Sequence, residues 1–322
     1  MKFLFRKIAI FLSPFLIIIL FIIIIDPYDL INISHIIDDE TKVKCLNRSL
    51  KVAPRGYTLW NILAFRRNPT SNIILGDSKF LDIDTLYVNR YLEGRCSNLS
   101  IPGASYQTLT NLFWMAAKTT KLKNVIFQTS FLSYNEMDKT PLFGTAMEII
   151  RKPYKYFLEW NYLEDSFYVL RYSIIKNDSL VDWKKRVRED LWQRSRKWIT
   201  SILTNTQYKY PHDFLPELKK IAEYCKKENI NLIFVIPPNY IEYHTIIKNA
   251  GYEEKYIRFK TDIKSLGKTI DLDQGLPISN QKEYFYDYLH LKPAYQDSII
   301  KILFSDTQVF SDESTDSLSF GS

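Results

Sequence analysis

The stretch from Ser71 to Phe80 reads SNIILGDSKF, an apolar run that ends abruptly in Gly-Asp-Ser. Three consecutive aliphatic residues suit a short strand buried on both faces of a sheet, and Gly76 permits a tight exit from it. Ser78 then lies beyond the carboxyl end of a strand, where open parallel sheets bind their ligands. We expect a helix to begin near Ser78 and to aim its N–H groups at developing negative charge. Taken alone, the tripeptide favours a turn or capping serine over a nucleophile, because Asp and Ser are common helix caps.

Four further short apolar runs have the same character. Helical patterns separate the runs, including residues 105–121 and 213–229. Alternating strands and helices predict an α/β fold, with three α/β/α layers around a mainly parallel five-stranded sheet. The four runs are CSNLS (96–100), NVIFQT (124–129), NLIFVIP (231–237) and KTIDLD (268–273).

The chain divides into segments of different composition. We predict that residues 1–26 form a short cytoplasmic stub and a transmembrane anchor, that 27–70 form an extracytoplasmic arm, and that 71–307 form the α/β domain. An aromatic-rich interval at about 140–212 interrupts the rhythm of strands and helices, which indicates a helical insertion over one end of the sheet. Residues 308–322 are polar and acidic, which predicts a flexible tail.

The N-terminus carries the most strongly specified local feature. Lys2, Arg6 and Lys7 precede an uncharged apolar run over residues 8–25, about long enough to cross a bilayer as a helix. Isoleucines lead directly into Asp26 without the small-residue cleavage site of a signal peptide, so the pattern favours an uncleaved anchor. The basic flank predicts a cytoplasmic N-terminus and a main domain, from about residue 27 onward, on the outer side of the membrane. The alternative is a buried core helix.

Composition narrows the classes of partner and cofactor. The net charge of +7 over 322 residues is modest and no nucleic-acid-binding motif is present, so we expect no nucleic-acid partner. The charge suits an anionic membrane surface or envelope polymer. Cys45, Cys96 and Cys225 lack paired metal-ligand spacing, and no metal or organic cofactor is predicted. A disulfide between Cys45 and Cys96 stays open, whereas Cys225 fits the buried face of an amphipathic helix.

A second chemistry-bearing stretch lies before a predicted C-terminal helix. The stretch DYLH, residues 287–290, places a carboxylate three residues before an imidazole. Imidazole, with a reference pKa of about 6.5, suits removal of a serine proton near neutrality, and the carboxylate can orient it. Together with Ser78, this arrangement favours catalysis. The other histidines have no similarly placed carboxylate in the sequence; they are His35, His212 and His244.

These two stretches together resemble the SGNH, or GDSL-like, hydrolase and acyltransferase superfamily over about residues 70–304. The resemblance implies that Ser78 is the nucleophile, that His290 is its base and that Asp287 orients the imidazole. It also matches Gly103 in NLSIPGASYQ to the second family block, whose N–H would join that of Ser78 in an oxyanion hole. The alternative for Gly103 is a simple turn after a strand.

The third family block departs from the pattern. Typical members carry Gly-x-Asn-Asp after the third strand, where this chain has VIFQTSFLSYNEMD at residues 125–138. Asn135 or Gln128 could donate a side-chain hydrogen bond to the oxyanion, although neither matches the family spacing. Loss of one such donor costs a few kcal/mol of transition-state stabilisation, so a slow or inactive enzyme stays open.

The layout of the chain is most similar to membrane-anchored envelope proteins of this superfamily, namely D-alanyl-transfer proteins of the lipoteichoic acid pathway and alginate-acetylation proteins. The similar features are a single N-terminal helix, DPYDLIN directly after it, Gly-Asp-Ser on the first strand, and NLSIPGAS. The resemblance implies serine-dependent O-acyl (above all acetyl) transfer or ester hydrolysis on an envelope polysaccharide or glycolipid, beside a membrane-bound O-acyltransferase. It also implies that the domain lies on the periplasmic or outer face of a bacterial inner or plasma membrane. The competing hypotheses are a non-catalytic glycan-binding or docking subunit of such a complex, and a lipid-directed esterase.

Aromatic residues stand beside basic ones within the predicted insertion. The two stretches concerned are WNYLEDSFY (160–168) and DWKKRVREDLWQRSRKW (182–198). Flat rings with cationic neighbours could hold a sugar polymer or lie at lipid headgroups. The favoured alternative is an amphipathic helix that packs its tryptophans onto the core.

Overall fold

Residues 2–182, 190–204, 207–273 and 275–304 are described in a computed structural model of the protein. The strands are β1 (Asn72–Leu75), β2 (Cys96–Asn98), β3 (Asn124–Gln128), β4 (Asn231–Ile236) and β5 (Thr269–Asp271). They form one sheet in the order β2-β1-β3-β4-β5, and every pairing is parallel. The predicted α/β fold and its five strands are therefore confirmed.

Helices cover both faces of the sheet and extend the fold at its N-terminus. In chain order they are α1 (Lys2–Ile25), α2 (Asp39–Leu46), α3 (Val52–Arg67), α4 (Thr85–Val88), α5 (Tyr106–Thr119), α6 (Leu142–Arg151), α7 (Tyr154–Leu158), α8 (Trp160–Ile175), α9 (Leu191–Thr204), α10 (Phe214–Lys227), α11 (Glu242–Asn249), α12 (Glu253–Lys264) and α13 (Pro293–Phe304).

Successive side chains of β1 enter opposite apolar layers. Ile73 and Leu75 pack in one cluster with residues of α5 and α10. Ile74 packs in a second cluster with Ile299 and Ile300 of α13. Because neighbouring strand residues point to opposite faces, a continuous apolar run requires cover on both sides, and this explains the three layers.

Helix α1 is long and apolar enough to span a membrane. The candidate span is Arg6–Ile25, with a mean hydropathy of 3.3, and only 11% of it is buried in the protein. Ile22 and Ile25, at its C-terminal end, are buried against the body. The helix therefore contributes little to the core, unlike the buried helix considered as the alternative.

Residues 27–70, predicted as an arm, pack against the body through α2 and α3. Ile62 and Phe65 of α3 belong to the same apolar cluster as Ile73 of the sheet. Trp60, also on α3, is partly buried against that cluster. The segment therefore links α1 to the central sheet.

Buried polar groups fix the chain where α1 ends. Asp26 accepts hydrogen bonds from the backbone N–H groups of residues 30–32 at 2.7–2.9 Å. Tyr28 donates to Asp165 of α8 at 2.6 Å, and Asp165 also pairs with Arg48 and Arg55. Since buried charges must be paired to be tolerated, these contacts tie the end of α1 to α3 and α8.

Helices α6 to α9 occupy the predicted insertion. Trp192 of α9 packs inward, with ring centroids 5.0 Å from Tyr240 and 5.1 Å from Tyr288. Trp198 is exposed. Residues 183–189, part of the aromatic and basic stretch, lie outside the described residues, and so does the tail predicted at 308–322.

The three cysteines are buried free thiols. Cys45 packs in a cluster with Ile25, whereas Cys96 packs with Ile74 in a different one. The disulfide left open between Cys45 and Cys96 is therefore absent. Burial raises the pKa of each thiol to about 12, so all three act as small apolar side chains.

Candidate active site

The exit from β1 is shaped by close packing. A Cβ atom on Gly76 would lie 2.5 Å from Gln128 Oε1, nearer than a side chain can approach. That oxygen accepts the Asp77 N–H at 2.7 Å, and the Asp77 carboxylate accepts the Lys79 N–H at 2.9 Å. Ser78 is thus held between two fixed peptide units.

The helix predicted to begin near Ser78 is not formed, so this prediction is wrong. Residues 77–82 form turns, and the next helix starts at Thr85. The bond from Lys79 N–H to the Asp77 side chain closes a local turn, and such side-chain bonds compete with helix formation. Backbone N–H groups of a turn, rather than a helix dipole, therefore surround Ser78.

Ser78, His290 and Asp287 form a continuous chain of hydrogen bonds. Ser78 Oγ lies 2.8 Å from His290 Nε2, and His290 Nδ1 lies 2.9 Å from both carboxylate oxygens of Asp287. With its proton on Nδ1, the imidazole donates to Asp287 and presents the Nε2 lone pair to the serine O–H. This is the arrangement that a general base requires.

A tight hairpin holds the aspartate and the histidine in place. Phe285 and Leu291 pair as an antiparallel bridge around them. Asp287 Oδ1 accepts the backbone N–H groups of Leu289 at 2.8 Å and His290 at 3.0 Å. The three-residue spacing therefore serves two purposes, because it closes the turn and orients the imidazole.

The Asp287 carboxyl is held in its ionised form. Burial alone raises its pKa, but the charge and hydrogen bond of His290 and the N–H groups of Leu289 and His290 lower it more, so the pKa lies below its ordinary value. An ionised carboxylate stabilises the imidazolium that forms when His290 takes a proton.

Gly103 lies on the loop after β2 and lines the same cleft as Ser78. Its φ angle is +68°, a conformation that favours glycine. Within the described residues, no acceptor engages the backbone N–H of Ser78 or Gly103. Both groups are therefore free to donate to a negative oxygen in the cleft.

Asn135 also lines the cleft, but its amide is engaged by backbone groups. Nδ2 donates to the Gln207 carbonyl at 2.7 Å, while Oδ1 accepts the N–H groups of Met137 at 3.1 Å and Lys209 at 2.9 Å. These bonds shape the cleft wall and leave the oxyanion role considered for Asn135 without support. Gln128 lies buried beneath the turn after β1.

A cleft of about 540 Å³ opens over Ser78 and His290, a size typical of small-molecule sites. Its rim includes Met137 and Trp198, both about half exposed. The lining residues are Asp77, Ser78, Lys79, Gly103, Ala104, Ser130, Leu132, Ser133, Asn135, Met137, Asp138, Trp198, Ile202, Gln207, Leu289 and His290.

Lys79 and Ser130 also belong to this site, although neither was predicted from a sequence motif. Lys79 is 8% exposed and lines the cleft. Ser130, on the loop after β3, donates from Oγ to Asp77 Oδ2 at 2.9 Å. The sequence feature that could have pointed to Lys79 is its position directly after Ser78, but only the structure shows that its side chain is buried.

A second aspartate and histidine pair lies outside the cleft. His244 Nε2 is 3.0 Å from Asp273 Oδ1, a carboxylate 29 positions later in the chain. Asp273 also accepts hydrogen bonds from Tyr256 and Asn239. The pair comes from two separate elements, so sequence spacing could not reveal it. Within the described residues, no serine or cysteine is hydrogen-bonded to His244.

Comparisons with known proteins leave the family open. No protein-family model and no curated protein sequence matches the chain. Thirteen chains of solved structures match it, among them a Streptococcus pneumonia structure provisionally described as a platelet activating factor. That match has 11% identity and a TM-score of 0.39, and covers 82% of this chain and 97% of the other. The fold and site together define an α/β protein with a hydrogen-bonded serine, histidine and aspartate in an open cleft.

Proposed function

We propose that the protein is a serine-dependent acyltransferase or esterase of the SGNH type that works through an acyl-serine. The chain of hydrogen bonds from Ser78 through His290 to Asp287 carries this proposal. A serine that merely caps a turn has no need of an imidazole at 2.8 Å whose other nitrogen is held by a carboxylate.

The reaction follows from the positions of these groups. His290 Nε2 takes the hydroxyl proton as Ser78 Oγ attacks the acyl carbonyl carbon. The carbonyl oxygen becomes negative and accepts hydrogen bonds from the N–H groups of Ser78 and Gly103. The bond to the leaving alcohol or thiol then breaks, and the leaving group takes the proton from His290.

A second hydroxyl completes the cycle. A sugar or a water molecule gives its proton to His290 and attacks the acyl-serine, and the Ser78 oxygen regains the proton as it leaves. A sugar acceptor makes the protein an O-acyltransferase, whereas water makes it an esterase. We favour transfer, with acetyl as the acyl group, because the resemblance to membrane-anchored acyl-transfer proteins implies it. The half-exposed indole of Trp198 at the cleft also offers a flat surface for a sugar ring.

We also propose that α1 anchors the chain, with its N-terminus in the cytoplasm and the cleft on the outer side of the membrane. The apolar span and the basic residues before it support this orientation. Phe21, inside the span, contacts Phe167 of α8 at a ring distance of 4.7 Å. A cleft held at this surface suits an envelope polysaccharide or glycolipid as acceptor, and a membrane-bound O-acyltransferase as partner.

The alternative is a non-catalytic glycan-binding or docking subunit. The altered third family block motivates this alternative. The amide of Asn135, considered as a substitute oxyanion donor, is hydrogen-bonded to backbone groups instead. A docking surface, however, has no chemical use for an ionised aspartate behind a histidine and a serine.

Stopped-flow assays of the full chain in detergent with 4-nitrophenyl acetate test the proposal. We expect a burst of 4-nitrophenol equal to the amount of protein, followed by slower turnover that Ser78→Ala abolishes. A soluble polysaccharide that speeds the slow phase and becomes O-acetylated identifies transfer, and turnover indifferent to the polymer identifies hydrolysis. Wild-type protein without burst or turnover, indistinguishable from Ser78→Ala, favours the docking subunit.

A further inference from the structure

We propose that the Lys79 ammonium binds a negatively charged oxygen of the substrate beside Ser78, an inference that rests on the proposed function. Lys79 directly follows the candidate nucleophile, lines the cleft and is 8% exposed. Burying an ammonium group is costly unless it is both paired and hydrogen-bonded. The contacts of Lys79 therefore show whether its ammonium has a hydrogen-bond acceptor within the protein.

Lys79 has a charge partner but no hydrogen-bond acceptor for its ammonium within the described residues. Its Nζ lies 3.6 Å from Asp77 Oδ2, which is beyond hydrogen-bond distance. Asp77 Oδ2 already accepts from Ser130 Oγ at 2.9 Å, and Asp77 Oδ1 accepts the Lys79 N–H at 2.9 Å. An ammonium has three donors and no acceptor, so its donors are available to an acceptor that enters the cleft.

A second buried lysine shows the contrast. Lys42 of α2 is fully buried, and its ammonium donates directly to Asp29. The ammonium of that lysine therefore has a hydrogen-bond acceptor within the protein. Lys79 is nearly as buried. Its neighbouring carboxylate, Asp77, lies 3.6 Å from the ammonium and accepts a hydrogen bond from Ser130 instead.

The ammonium lies beside residues that line the same cleft as Ser78. Asp77 and Ser130 lie after β1 and β3, and Ser133 Oγ is 2.6 Å from Ser130 Oγ. These polar groups form the wall of the cleft that contains Ser78. Two sources supply the negative oxygen: the oxyanion that forms during acyl transfer, or a carboxylate or phosphate substituent on the substrate.

Two model esters distinguish these sources. The full chain in detergent is assayed with 4-nitrophenyl acetate, which is neutral, and with the 4-nitrophenyl monoester of succinic acid, which carries a carboxylate. The variants are Lys79→Gln and the double variant Asp77→Asn/Lys79→Gln, which removes both charges and leaves no uncompensated buried carboxylate. Lys219→Gln, at an exposed position on α10, is the matched control.

We expect both Lys79 variants to lose at least about tenfold in kcat/KM, since one charged donor at a reacting oxygen is worth this much or more. A similar loss with both esters identifies the oxyanion as the occupant. A loss confined to the succinate ester identifies an anionic substituent. Both esters hydrolysed within about twofold of the wild type by the folded variants would overturn the inference.

The inference can fail separately from the proposed function. If the wild type hydrolyses neither ester, the proposed function fails, and calorimetry with the monomethyl succinate ion then decides the role of Lys79. Binding to Ser78→Ala that weakens at least about tenfold in Ser78→Ala/Lys79→Gln supports the anion site. Equal binding to the two proteins overturns it.

Discussion

The relay at Ser78 depends on which nitrogen of His290 carries the proton. Asp287 accepts from Nδ1 at 2.9 Å and leaves Nε2 to take the serine proton. An asparagine at position 287 can donate to Nδ1 instead, which favours the tautomer protonated at Nε2 and removes the base. We expect Asp287→Asn to slow the burst of 4-nitrophenol by about 10²- to 10⁴-fold. A burst rate within about threefold of the wild type would exclude the relay.

Short sequence motifs were enough to select Ser78, Asp287 and His290 as candidate site residues. Each lies in a short local pattern, Gly-Asp-Ser or Asp-Tyr-Leu-His, that forms a turn in the structure. The role of Lys79 depends on burial, which spacing does not encode. The contact between His244 and Asp273 joins separate elements. The amide of Asn135 was a candidate donor to the oxyanion. In the structure it is hydrogen-bonded to backbone groups of Gln207 and Lys209, which lie far later in the chain, so the local sequence could not show that it is engaged.

Helix α8 presents exposed apolar side chains next to the candidate membrane span, with the charged Glu164 and Arg171 exposed among them. Trp160, Phe167 and Ile174 are all exposed, and residues seven apart share one face of a helix. Phe167 contacts Phe21 of α1 at a ring distance of 4.7 Å. Since Phe21 lies inside the span, this face of α8 should lie at the membrane interface.

Fluorescence quenching in lipid vesicles tests the position of α8. A fluorophore on Phe167→Cys, in the full chain, should be quenched by lipid-borne quenchers more strongly than by aqueous iodide. The same fluorophore on Leu86→Cys, at an exposed position of α4, should show the opposite order. The native cysteines are buried and should not react. Stronger iodide quenching at both positions contradicts the interfacial placement.

The strands were predictable from the sequence because a short apolar run bounded by turn residues is typical of a buried strand. The helix expected near Ser78 was not, since the Asp77 side chain bonds to the Lys79 N–H and closes a turn. A residue that caps a helix also closes such turns. Composition alone therefore could not distinguish the two outcomes.

Three carboxylates with little solvent exposure should make the whole molecule sensitive to acid. Burial raises the pKa of Asp77, Asp273 and Asp287, but neighbouring cations and hydrogen-bond donors lower each one more, to below its ordinary value. A carboxyl whose pKa is lower in the folded state adds stability above its unfolded pKa of about 3.9. That stability is lost as the pH falls through the folded value.

Melting temperatures measured from pH 6 to pH 3 test this linkage. We expect the melting temperature of the wild type to fall below about pH 4, where the unfolded carboxyls take up protons. Asp287→Asn should show a shallower fall, because one of the three groups no longer titrates. Parallel curves for the two proteins would mean that Asp287 contributes nothing to acid sensitivity.

Fluorophosphonate labelling of the full chain in detergent, followed by peptide mass spectrometry, tests the central claim most directly. The account predicts a single labelled peptide that carries the probe on Ser78, with labelling lost in Ser78→Ala and in His290→Ala. His244→Ala is the matched control, because His244 also faces an aspartate but is hydrogen-bonded to no serine in the described part of the chain, and this variant should label as the wild type does. Folded wild-type protein that takes up no probe, or takes it up equally after His290→Ala, would contradict an activated serine at position 78.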